Sequence, residues 1–285
     1  MSAAPTPVET RHRPVRLASP SPRRTEARKL AVVVAAAFTG PWLVWGSRLA
    51  QAHGLIDWHL PQGVALWSMT VPVLLAAAAC WGRSLLRDLG RRLLAWRVPA
   101  RAYGYALGFP VAVAAIAVGV TKATGHQVAT GVVLSLPSAL SFLAFGTLLY
   151  LLTEELMWRG VLLPRLRARM GVGPAGLTVG VVWAVWHIPL LSVPGETDRG
   201  LPLPGFLVLV VATSVVMAYL MELCGYSVLV AAAFHASFNA TYSYAGVVGG
   251  SAVTFWASVV VTALAAAALL ARDRRSESTQ SPTGS

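Results

Sequence analysis

"SALSFLAFGTLLYLLTEELMWRG", residues 138–160, decides how the chain is read. Residues 138–152 carry no charge. Glu154, Glu155 and Arg159 then follow within the same apolar stretch. A run over 138–158 approaches the roughly 20 residues that cross hydrocarbon as a helix. A charge near the bilayer centre costs on the order of 3 kcal/mol on insertion scales, so such groups face a bundle interior and find partners there. The stretch is therefore either no span at all or one helix of a bundle with a polar site inside.

The rest of the chain selects the second reading. Of its 285 residues 56% are hydrophobic and 12% charged, and the mean hydropathy is +0.63. That is far more apolar than a soluble domain. Seven further apolar runs lie near 30–47, 64–81, 103–120, 175–192, 204–221, 226–243 and 252–271. Lipid offers no partner to open backbone groups, so helices are expected. The expected fold is all-α, a polytopic transmembrane bundle of about eight spans in the cell membrane. Residues 1–29 and 272–285, rich in Pro, Ser, Thr and Arg, read as disordered tails. Between them, 30–137 forms the first helices, 138–243 a core, and 244–271 the last helix.

The net charge of +12 has two ordinary meanings, nucleic acid or anionic lipid. The basic residues lie beside apolar runs, and no nucleic-acid motif is present, so lipid is the expected partner. Seven lysines and arginines lie in the N-terminal tail, six in 82–102, four in 159–174 and three in the C-terminal tail. Only Arg48, Lys122 and Arg199 fall in the alternate loops. This pattern predicts both termini in the cytoplasm. "GRSLLRDLGRRLLAWRVPAR", residues 82–101, reads either as an amphipathic helix lying flat on anionic headgroups or as a charged connection. Cys80 and Cys224 read as packing residues.

Glu154 and Glu155 are the only acids expected within a span. Glu155 and Arg159, four apart, share a helix face and can pair. Glu154 points about 100° away and needs another partner. "WAVWHIP" places His187 in the fifth span, and "FHASFNA" places His235 and Asn239 on one face of the seventh. At about 1.5 Å rise per residue, Glu154, His187 and His235 lie roughly 13–18 Å from the cytoplasmic ends of their helices. A carboxylate with two imidazoles makes a hydrolytic zinc site or a metal-free general base with helpers. Asn239 is a poor zinc ligand and better suited to donating to an oxyanion. Trp183 and Trp186 read as packing.

The constellation resembles the CPBP intramembrane proteases, the superfamily of type 2 CAAX prenyl proteases and lysostaphin resistance protein A. "EELMWR" matches its Glu-Glu-x-x-x-Arg motif, "WAVWH" its Phe-x-x-x-His motif with Trp183 in place of Phe, and "HASFN" its His-x-x-x-Asn motif. The resemblance covers about 138–243. It implies an endopeptidase acting on a membrane-associated, prenylated-type or leader peptide. Glu154 would activate water. His187, His235 and Asn239 would bind metal or stabilise the oxyanion. Glu155 and Arg159 would hold substrate or architecture. The metal set it suggests is His187, His235 and Glu154, with zinc or another divalent ion, beside a metal-free glutamate mechanism. A non-catalytic scaffold or bacteriocin-immunity protein on the same fold is the alternative reading. A proton-coupled transporter is a third, weakened by the lack of visible internal repeats.

Overall fold

The structure is a computed structural model of the chain. It describes residues 23–128 and 136–280, and for Arg23, Leu136 and residues 276–280 the backbone alone. Among the described residues there are helices and no strands. The long helices are α1 (Arg23–Ala52), α2 (Trp67–Leu93), α3 (Ala100–Ala123) and α4 (Leu136–Leu152). A π-helical turn (Leu156–Leu162) and the short α5 (Leu163–Arg167) continue α4. There follow α6 (Val172–His187), α7 (Leu203–Leu223), α8 (Val228–Tyr244) and α9 (Ala252–Gln280).

Six helices are long and apolar enough to cross a membrane, and the bent pair 137–152 and 156–167 would make a seventh. The remaining apolar run is α8, with 17 residues. Peripheral apolar side chains stay uncovered, Leu75 at 67%, Phe145 at 69% and Leu264 at 65%. Such surface is costly in water and matched to lipid tails. The chain is an integral membrane protein of helical class. The expected tails are shorter than their composition suggests. Residues 23–29 already belong to α1, where Glu26 accepts a hydrogen bond from Trp81 Nε1 at 2.8 Å. Residues 272–280 prolong α9, since nothing in their sequence breaks its hydrogen-bond ladder. The remainder of both tails, 1–22 and 281–285, lies outside the described residues.

Helix ends alternate between two faces of the bundle, and polar contacts tie the neighbours on each. On the basic face Arg167 Nε donates to Glu222 Oε1 at 2.6 Å, and Ser227 Oγ donates to the Ala95 carbonyl at 2.7 Å. On the opposite face Arg48 donates to the Pro194 carbonyl at 2.7 Å and Thr121 meets Thr254 at 2.8 Å. Within the 82–101 segment, residues 82–93 belong to α2. Gly82 leaves the helical region with a φ of 72°, breaking α2. Beyond it Leu85 and Leu89 are buried while Arg83, Arg87 and Arg91 are exposed.

Two local features position the site. The first is the 46° bend between 137–152 and 156–167. Thr153 Oγ1 bonds back to the Leu149 carbonyl at 2.7 Å, and the Leu152 carbonyl freed by the bend accepts from Thr70 Oγ1 on α2 at 2.9 Å. Backbone groups released inside a bundle need such partners. The second is close contact of α6 with α7 through small residues. A Cβ on Gly176 would lie 2.8 Å from Ala218 Cβ, and one on Gly180 only 2.9 Å from Val211 Cα. Without side chains in the way the two backbones touch, as in small-xxx-small packing. This contact fixes the helix whose last residue is His187.

Gly180→Val is therefore expected to destabilise the bundle by about 1–3 kcal/mol, the usual cost of overpacking. It should read as a lower Tm of the detergent-solubilised protein. Gly46, whose Cβ would meet nothing within 4 Å, supplies the control: Gly46→Ala should leave Tm unchanged or slightly raised.

Candidate active site

The bend separates the two adjacent acids. Glu155 turns inward and is fully buried. Its Oε1 accepts from Arg159 Nη1 at 3.0 Å, the pair their spacing predicts, and from His235 Nδ1 at 2.8 Å. The Arg159 guanidinium, also fully buried, lies 4.4 Å from the Trp183 ring centroid. A buried cation gains from both a carboxylate and an aromatic face.

Glu154 is 4% exposed and takes a different partner, the Trp183 indole, whose Nε1 donates to Oε2 at 2.8 Å. The packing role expected for Trp183 is thus incomplete. Phenylalanine at that position offers no donor, so the indole adds a hydrogen bond that Phe-x-x-x-His cannot make. Trp183 also offers its backbone carbonyl to His187 Nδ1 at 2.9 Å, one helical turn on. His187 is edge-on to Trp183, Trp186 and Phe206. A carbonyl only accepts, so His187 Nδ1 carries the proton and Nε2 presents a lone pair when the ring is neutral. Glu155 likewise assigns the proton of His235 to Nδ1.

Glu154, His187, His235 and Asn239 line one cavity of about 270 Å³. Sequence spacing pairs His235 with Asn239 on one face of α8, and both do reach this cavity. Their partners differ, however. Asn239 Nδ2 donates to the Tyr150 hydroxyl at 2.7 Å, while the Tyr150 ring stacks on His235 at 3.8 Å and 4°. Tyr150 is a site residue that the sequence reading misses. Its position one turn before Glu154 is the signal that could have found it.

Asp198 is the other omission. It sits in the 192–202 connection, where an acid reads as a solvated loop residue, yet it lines the same cavity. Burial pushes its carboxyl above the usual carboxylate range, with His187 drawing it back and Glu154 adding to the rise. Its charge is therefore fully present only above that raised value and fades as pH falls through it. Glu196 nearby is held by Arg48 at 3.9 Å.

Among the described residues no three His, Cys, Asp or Glu side chains are grouped so as to hold a metal ion. His235 and His187 each commit Nδ1 to an internal acceptor and keep Nε2, and Glu154 commits one oxygen to Trp183 and keeps the other.

Two substitutions test these contacts. Arg159→Ala leaves the Glu155 charge buried without its cation and should cost about 3–5 kcal/mol of stability, measured by thermal or denaturant unfolding in detergent. Trp183→Phe keeps the aromatic volume and removes one donor to a carboxylate. It should cost stability about 1.5–3 kcal/mol at most, measured in the same way.

No curated protein matches the chain. A protein family does: residues 136–241 match the type II CAAX prenyl endopeptidase Rce1-like family. The match spans α4 to the last turn of α8 and includes Glu154, Glu155, Arg159, His187, His235 and Asn239. Over that stretch the chain is similar to the type II CAAX prenyl endopeptidases of the Rce1-like family.

Proposed function

We propose that the protein is an intramembrane endopeptidase that uses Glu154 to activate water, without a metal. One observation carries this reading: a carboxylate and two imidazoles from three helices line a single cavity within an apolar bundle. Such groups are expensive to bury, and a purely structural role would engage each of them fully.

Water held beside Glu154 gives up a proton to the free carboxylate oxygen, while the Trp183 indole holds the other oxygen in place. His187 Nε2 orients the water by accepting its second hydrogen. The oxygen attacks the scissile carbonyl, the C–O bond forms, and negative charge gathers on the former carbonyl oxygen. The Tyr150 hydroxyl donates to that oxygen, its own oxygen already accepting from Asn239. His235, fixed by Glu155 and stacked on Tyr150, keeps the phenol ring in position. As the C–N bond breaks, Glu154 returns its proton to the departing amine, so the carboxylate is regenerated. The substrate is a peptide or protein associated with the membrane.

The test is cleavage of membrane-tethered peptide reporters by purified protein in detergent or proteoliposomes. Glu154→Gln should lower turnover by about 10²–10⁴-fold, the range for losing a general base. Tyr150→Phe should lower it by about 10²–10³-fold, as for an oxyanion donor. Equal cleavage by wild type and Glu154→Gln rejects the reading. Chelation should leave activity intact, and loss restored by added zinc would reject the metal-free mechanism.

A further inference from the structure

We infer that the cavity opens on the side of the membrane away from the cytoplasm and takes a polypeptide segment already carried across. The substrate part of this inference rests on the peptidase reading; the orientation does not.

The argument begins with where the wall of the cavity comes from. Besides helix interiors, it draws on Gln62 and Leu66 before α2, on Thr197 and Asp198 between α6 and α7, and on Val248 between α8 and α9. These three connections lie on the same face of the bundle. None of the connections on the other face, 94–99, 168–171 and 224–227, contributes a residue. Toward that other face the space is filled. Leu156, Met157, Trp158 and Leu162 of the π turn are buried, as is Leu89, whose Cδ1 would lie 2.7 Å from a Cβ on Gly160. Arg92 is buried beyond them, paired with Asp88 at 2.9 Å.

Charge gives each face its side. Of the 20 lysines and arginines among residues 23–280, 16 lie at the closed end of the bundle, Arg159 is in its interior, and three lie at the open end. The open face has Arg48, Lys122 and Arg199, balanced by Asp57, Glu196 and Asp198. Basic residues flanking short loops stay in the cytoplasm. The face with the mouth is thus the one translocated. Its exposed Trp58, Trp67 and Trp256 fit the aromatic belt of a bilayer boundary. A substrate reaching Glu154 enters past Asp198, which forms no ion pair among the described residues. An exported chain, or the external flank of a membrane segment, has that access. A cytoplasmic tail does not.

Single-cysteine labelling of the full chain tests this without needing catalysis. The native Cys80 and Cys224, both unpaired, are replaced by alanine, and Thr197→Cys and Arg87→Cys are made separately; both positions are exposed. Intact spheroplasts of an expressing bacterial host are treated with a membrane-impermeant maleimide. Thr197→Cys should label at once and Arg87→Cys only after permeabilisation. Any result in which Thr197→Cys needs permeabilisation, or Arg87→Cys does not, overturns the orientation. Should a variant fail to accumulate, Asp57→Cys and Arg91→Cys report the same two faces. A second arm presents one peptide reporter on either side of a fused span. Cleavage of the external form alone supports the substrate assignment, and cleavage of the internal form alone overturns it. External labelling with neither form cleaved overturns the peptidase reading and leaves the orientation standing.

Discussion

The buried carboxylate of Glu155 is the constraint from which the rest of the domain follows. In an interior without water, an ion is tolerated only where partners replace hydration. Glu155 meets that condition through one oxygen, Oε1, which accepts from Arg159 on its own segment and from His235 on α8. The Arg159 guanidinium in turn lies over Trp183 of α6. One charge thus fixes the relative positions of three helical segments, and each of those segments carries a group of the cavity. The close contact of α6 with α7 through Gly176 and Gly180 then holds the fourth wall.

This arrangement divides two chemically identical neighbours into different roles. Glu155 has its Oε1 in an ion pair and a histidine contact, and no part of it lines the cavity. Glu154 has one oxygen anchored by an indole and lines the cavity. The difference comes from backbone geometry. Successive residues of a helical turn point about 100° apart, and at the bend between 152 and 156 this aims the two acids at separate environments. π turns such as the one that follows recur at functional sites.

The helical class and the positions of the long helices are legible in the sequence because lipid imposes a one-dimensional rule: long apolar runs must be helices. The same rule made Glu154, Glu155, His187 and His235 conspicuous, since polar groups are costly in those runs. The Glu155–Arg159 pair is legible too, being local along one helix. Partners across helices are not. Nothing in the spacing of α8 directs His235 to Glu155 while Asn239 meets Tyr150, because that depends on helix rotation set by packing. The bond from Trp183 to Glu154, and Tyr150 and Asp198 as site residues, escaped notice for a related reason. Each belongs to a type that is ordinary in its place, an aromatic in a span or an acid in a loop, and only the fold shows what it touches. The tail boundaries were misjudged because composition describes average tendency, whereas a helix already begun extends cheaply by further residues.

The π turn at Leu156–Leu162 also sets what kinds of change the domain can absorb. A π turn holds one residue more than the α-helix it interrupts, so residues before and after it are out of phase by about 100° relative to an unbroken helix. Removing one residue from this turn would restore an ordinary helix and rotate α5 about its axis by that angle. Arg165, now 3.9 Å from the Trp81 ring centroid, and Arg167, bonded to Glu222, would swing away from both partners. Length in this turn is therefore more tightly fixed than side-chain identity: a substitution alters one contact, whereas a single deletion shifts the phase between the acidic pair and the basic face that anchors it.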